Sequence, residues 1–112
     1  MPSASFSGEE STITSSRADD VVTIVVVGEI DLANAHELDA ELQQAEATDA
    51  KSIVLDLAAM TFMDSTGAST VFFASMRSSA DSNRLRITRP PGAVMRTLEV
   101  AGLADALPFS SE

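Results

Sequence analysis

The chain has 112 residues, 45% of them hydrophobic and 21% charged, enough for one small globular domain and too apolar for a disordered segment. It has no cysteine, no tryptophan, no tyrosine and one histidine, His36. That excludes disulfides, thiolate metal sites and thiol nucleophiles, and leaves little for imidazole catalysis or base stacking. With 17 acidic against 7 basic residues the net charge is −10, which repels phosphate backbones and argues against direct nucleic-acid binding.

Met1 to Glu9, rich in serine, reads as a flexible N-terminal arm, residues 10–109 as the domain and 110–112 as a tail. Ser11 to Ser16 has the alternation of a weak edge strand, followed by the turn signal Ala18-Asp19-Asp20. Val21 to Val27, VVTIVVV, is the β-branched run expected of a central strand covered on both faces, closed by Gly28. Ala35, Leu38, Leu42 and Ala45 then recur at helical spacing among polar residues. Ile53 to Leu57 is a second core strand, and a strand, helix and strand in that order favour a right-handed crossover with parallel pairing.

Ala58 to Asp64 reads as a loop, after which Asp64 and Ser65 offer oxygens to the free N–H groups of a starting helix. That helix presents Ala68, Val71, Phe72, Ser75, Met76 and Ser79 as its inner stripe. Leu85 to Thr88 is a short strand. Pro90-Pro91-Gly92 opens a last helix carrying Val94, Met95, Leu98 and Ala101, which Gly102 stops. Leu107-Pro108-Phe109 has room for a stub of edge strand at most. The fold class is α/β: a single mixed, mostly parallel sheet, its N-terminal strand antiparallel, with helices after the strands. Met60, Met63, Met76 and Met95 read as core filling, with Met63 beside Asp64 also placed for contact.

Ligands and partners of such sheets gather where strand carboxyl ends meet helix N-termini. Two segments qualify, Gly28-Glu29-Ile30-Asp31-Leu32 and Phe62-Met63-Asp64-Ser65-Thr66-Gly67, and parallel pairing sets them side by side. Ser65 and Thr66 carry hydroxyls between a carboxylate and a glycine at a helix start, where unpaired N–H groups and the helix dipole favour an added phosphate. About two negative charges placed beside Asp64 and Asp31 would alter which surfaces dock there. The same residues also read as a plain helix cap. Residues 1–64 hold 13 acidic groups against Arg17 and Lys51, so most of the negative field lies in the first half.

The block Ile53 to Gly67, IVLDLAAMTFMDSTG, with Gly28-Glu29-Ile30-Asp31, resembles the STAS domain of bacterial anti-sigma factor antagonists, over about residues 10 to 107 by order of elements. The resemblance implies the STAS fold and a partner that is both anti-sigma factor and serine/threonine kinase. In that family the unphosphorylated antagonist binds the kinase and frees a sigma factor for transcription. Phosphorylation of the hydroxyl residue before the glycine, here Thr66, releases it, and a PP2C-type phosphatase resets it. The family usually has serine at that position, and Ser65 is the fallback acceptor. The implied contact set is Glu29, Asp31, Met63, Asp64, Ser65, Thr66 and Gly67. Many members continue into a final helix that this chain is expected to lack or replace.

The implied protein is cytoplasmic, uses no cofactor and has no catalysis of its own. No apolar run approaches the roughly 20 residues of a membrane helix, and no signal peptide is evident. The alternative reading is a STAS scaffold or ligand-binding module in a sensory or transport assembly, never phosphorylated; a small hydrolase lacks a paired base or ligand cluster. Asp-Ser-Thr-Gly departs from the aspartic-protease motif because Gly67 stands three places after Asp64.

Overall fold

The computed structural model describes residues 11–110; the N-terminal arm and the last two residues of the tail lie outside them. Four strands and three helices follow one another as β1 (Thr12–Ala18), β2 (Val21–Ile30), α1 (Ala35–Glu46), β3 (Ser52–Met63), α2 (Ser65–Ala80), β4 (Leu85–Ile87) and α3 (Gly92–Val100). The strands form one sheet in the order β1-β2-β3-β4, with β1 antiparallel to β2 and the other pairs parallel. Asp19-Asp20 makes the two-residue hairpin between β1 and β2, Asp19 taking a positive φ of 55° that aspartate tolerates better than most residues.

The core lies on one face of the sheet. Val22, Ile24 and Val26 of β2, Ile53, Leu55 and Leu57 of β3, and Leu85 and Ile87 of β4 are buried there. Leu38 and Leu42 of α1, Val71 of α2, and Val94 and Leu98 of α3 join the same cluster. The central strand is therefore covered on one face, in contrast to the sequence expectation. Val21, Thr23 and Val25, on the alternate side, stay half-buried, and Val27 is 40% exposed. A run of β-branched residues carries the same signature in both cases, because their sheet preference does not depend on two-sided burial.

Both inner strands run further than their sequence signals. Gly28 does not close β2; it takes φ 94° at a register shift, and the strand continues to Ile30. Ala58 to Met63 is likewise strand, paired through Val27 with Ala59, Gly28 with Met60 and Ile30 with Met63. The bulges break the two-residue alternation, so burial falls at Met60 and Met63 and no simple period marks the extension. Each bulge leads its strand to the same edge of the molecule, which is where the candidate site forms.

Helix α2 is turned relative to the expected stripe. Gly67, Ala68, Val71 and Ala74 face the core, whereas Met76 is 53% exposed and fills no core space. The buried side is made of small residues that let the helix lie close to the sheet, a signal that hydrophobicity alone underrates. Ala101, expected on the α3 stripe, is the exposed C-cap, followed by Gly102 at φ 78°. After a 3-10 turn at Ala104–Ala106, Phe109 forms a parallel bridge with Ile87, with Ile87 N–H donating to Pro108 O at 3.0 Å and Ser110 N–H to Ile87 O at 2.8 Å. The expected stub of edge strand is this bridge.

Candidate functional site

The final pair of the β2–β3 ladder, Ile30 with Met63, fixes where two loops begin. Asp64 N–H donates to Ile30 O at 3.2 Å, and Asp64 then caps α2: its Oδ1 accepts from Gly67 N–H at 3.0 Å. Its Oδ2 accepts from Leu32 N–H at 3.2 Å. One carboxylate thus holds both the helix start and the loop after β2. The cap reading holds for Asp64 and not for Ser65, which is the first helical residue, and the Asp64 side chain also links the two loops that parallel pairing sets side by side.

The β2–α1 loop has its own internal lock. Asp31 Oδ1 accepts from Ala33 N–H at 3.0 Å, while Asp31 N–H donates to Asn34 Oδ1 at 2.9 Å. Asn34 Nδ2 donates back to Glu29 O at 2.9 Å, and Asp31 O accepts from Ala35 N–H at 2.8 Å. Asp31 therefore sits in the loop that Asp64 anchors, with one oxygen engaged in the turn. Asn34 was not among the sequence candidates; an asparagine just before a helix is a turn signal, but its reach back to Glu29 has no local mark.

Thr66 is the second residue of α2, half-buried, and Ser65 before it is exposed. Neither hydroxyl makes a hydrogen bond among the described residues. Thr70, one turn on, instead returns its hydroxyl to Thr66 O at 2.9 Å. Of the expected contact residues, Glu29 and Asp31 are half-exposed at the loop, and Asp64 to Thr66 lie at the surface or half-buried. Met63 and Gly67 do not reach it: Met63 is 1% exposed, and both are buried at the seat of α2. Their part is to shape the site from beneath, because a strand residue pointing at the core and a glycine under a helix present no side chain to a partner.

A groove of about 440 Å³ runs from Thr66 between α1 and α2, with Leu32, His36 and Phe73 on its walls. Leu32 is 77% and Phe73 55% exposed. Leu32 closes the first of the two loop segments read from the sequence, whereas Phe73 was not placed at the site; its only mark is a large apolar residue where a polar one is expected. At the far end Arg77 joins the helices, its Nε donating to Glu46 Oε1 at 2.8 Å and its Nη2 lying 3.4 Å from Asp39 Oδ1. The hydrogen bond to Glu46 holds the guanidinium above its ordinary range; partial burial opposes this, and the charges of Glu46 and Asp39 add to it. Among the described residues no cluster of histidine and carboxylates has the makings of a metal site, and no helix is long and apolar enough to cross a membrane.

This chain belongs to the STAS-domain family, whose domain model matches residues 12–112. The fold is similar to that of an anti-sigma factor antagonist from Mycobacterium paratuberculosis, with a TM-score of 0.79 and 22% identity over 92% of this chain and 87% of that one. It is also similar to the anti-sigma factor antagonist SpoIIAA in its unphosphorylated form, with a TM-score of 0.73 and 20% identity over 90% of each chain. The phosphorylated form of SpoIIAA, a Bacillus cell fate determinant, gives 0.67 and 19% over 90% of this chain and 93% of that one. No curated protein sequence matches.

The Asp64 carboxylate makes a direct prediction. Asp64→Ala removes two hydrogen bonds and the α2 cap and is expected to lower stability by about 2 kcal/mol, read from a urea melt. Asp64→Asn keeps an acceptor for the cap and is expected to lose about half as much. An Asp64→Asn variant as stable as the parent would show that the carboxylate's second bond, to Leu32, contributes nothing.

Proposed function

We propose that this protein is an anti-sigma factor antagonist: a binding module without catalysis of its own, switched by phosphorylation of Thr66. In its unmodified state it docks on a cytoplasmic anti-sigma factor serine/threonine kinase and frees a sigma factor for transcription. The kinase transfers the γ-phosphoryl group of ATP to Thr66 Oγ1. The bond to ADP breaks, the Oγ1–phosphorus bond forms, and the hydroxyl proton leaves to a base of the kinase. The product, with about two added negative charges in a loop pair already holding Asp31 and Asp64, no longer fits the kinase surface, and a PP2C-type phosphatase restores the hydroxyl by hydrolysis.

The observation that carries this reading is the Thr66 hydroxyl itself. It is unbonded among the described residues and stands at the start of α2. The N–H groups of Ser65 and Thr66 precede the first intrahelical acceptors, so a phosphoryl group meets donors and the positive helix end without unfolding the domain. Ser65, equally unbonded and more exposed, is the second candidate acceptor.

Incubation with the anti-sigma kinase of the same cell and MgATP is expected to add one phosphoryl group, located at Thr66 by peptide mass spectrometry and lost in Thr66→Ala. Thr66→Glu is expected to weaken kinase binding at least tenfold, about 1.4 kcal/mol. Tight kinase binding with no transfer in any variant would favour the unphosphorylated scaffold instead.

A further inference from the structure

His36 is the second residue of α1 and Thr66 the second residue of α2. The two helices follow parallel neighbouring strands, so they run in the same direction and their first turns lie side by side. His36 and Thr66 line the same groove. His36 is exposed, and its ring makes no hydrogen bond among the described residues. We propose that His36 is the cationic partner of a phosphoryl group on Thr66, forming an ion pair across the groove that stabilises the modified state below neutral pH. The proposal rests on Thr66 being the modified residue and assigns that site its charge partner.

The other charged groups of the groove do not fill this role. Arg77 stands eleven residues along α2, about 16 Å on the helix axis, and is held by Glu46 and Asp39. Asp39, one turn beyond His36, is engaged by Gln43 Nε2 at 2.7 Å as well as by Arg77. Asp64 has both oxygens on backbone N–H groups, and Asp31 has one on Ala33. Glu37, beside His36 on α1, is exposed. The carboxylates repel an incoming phosphate, which leaves the imidazolium as the cation that shares the mouth of the groove with Thr66.

An imidazole titrates in water near pH 6.5 and a phosphomonoester loses its second proton near pH 6. Each charge stabilises the other, so the pair fades as the imidazole loses its proton. A phosphate here therefore resists removal more at slightly acid pH, and an antagonist in that state stays silent longer.

The test uses the whole chain with phosphothreonine incorporated biosynthetically at position 66, so that it does not depend on any kinase. His36 is the only histidine, and its ring resonances give one clean NMR titration. The midpoint is expected to rise by about one pH unit in the phosphorylated chain relative to the unmodified one. In reverse, the ³¹P titration midpoint of the phosphorylated chain is expected to move up in His36→Gln, since both shifts report one coupling. An unchanged imidazole midpoint, or a ³¹P titration indifferent to His36→Gln, overturns the pairing while leaving Thr66 as the acceptor. Failure of the kinase experiment alone overturns the switch and leaves this electrostatic result standing.

Discussion

Gly67→Val is expected to cost about 3 kcal/mol and to lower the melting temperature by roughly 10 °C or more. A Cβ at residue 67 would lie 2.9 Å from Met63 Cγ, 3.0 Å from Ile30 Cγ2 and 3.1 Å from Ile30 O. Two of these are side-chain atoms, but Met63 and Ile30 are 1% and 0% exposed and have nowhere to move without displacing other core residues. The third is backbone of the last β2–β3 pair. Valine adds two further methyl groups to the same contact. Gly67→Ala is milder, about 1 kcal/mol net, because alanine's helix propensity offsets about 1 kcal/mol of the crowding. Thermal unfolding by circular dichroism ranks the three proteins. A valine variant as stable as the parent would mean that α2 is not seated on the strand ends as described, and with it would go the position of Thr66.

Gly67 therefore has a packing reason independent of any kinase. Gly67 lets the first turn of α2 lie against Ile30 and Met63, and that contact is what holds Thr66 beside the loop after β2. The block Asp64 to Gly67 was legible in the sequence because capping follows short-range rules: an acceptor oxygen and a helix N–H three residues on. The joining of the two loops was legible only as topology. Parallel pairing of β2 and β3 implies it, but the bond from Leu32 to Asp64 spans 32 residues and leaves no local pattern.

The same contrast separates the elements read well from those read short. Strands and helices with an unbroken period, such as Ile53 to Leu57 or the Leu38–Leu42 face of α1, declare themselves. The strand extensions past Gly28 and Leu57 do not, because bulges spoil the alternation at the very place where they steer both strands to the site. The orientation of α2 was missed because its inner face is built from Gly67, Ala68 and Ala74, whereas Phe73 and Met76, more hydrophobic, point outward. Of the two, Phe73 gives the groove beside Thr66 its apolar wall on the α2 side.

Arg84→Ala carries the other large expected effect, about 3 kcal/mol, and it acts at the opposite end of the sheet. Helix α1 has no basic residue in its last turn, and its terminal carbonyls have no further helical N–H to accept from. Arg84, just before β4, supplies a donor to the last carbonyl and two to the loop beyond it: Nη2 reaches Glu46 O at 2.7 Å, and Nη1 reaches Ala50 O at 2.7 Å and Thr48 O at 3.1 Å. The side chain is 14% exposed, so water replaces these bonds only in part when it is truncated. Charge-assisted hydrogen bonds are worth about 1.5 to 3 kcal/mol each in mutational series, and the negative helix end adds to the attraction. Partial rehydration of three carbonyls brings the sum down to the stated value, a fall of about 12 °C or more in melting temperature. Arg84→Lys keeps the charge but replaces the planar fork with a single ammonium, and is expected to recover less than half. Because the clasp joins the carboxyl end of α1 to the start of β3, it shares no contact with Asp64 or Thr66. Arg84→Ala should therefore lose stability while, below its melting range, accepting phosphate at Thr66 at the parent's rate. A loss of phosphorylation in the still-folded variant would show that the two ends of the sheet are coupled.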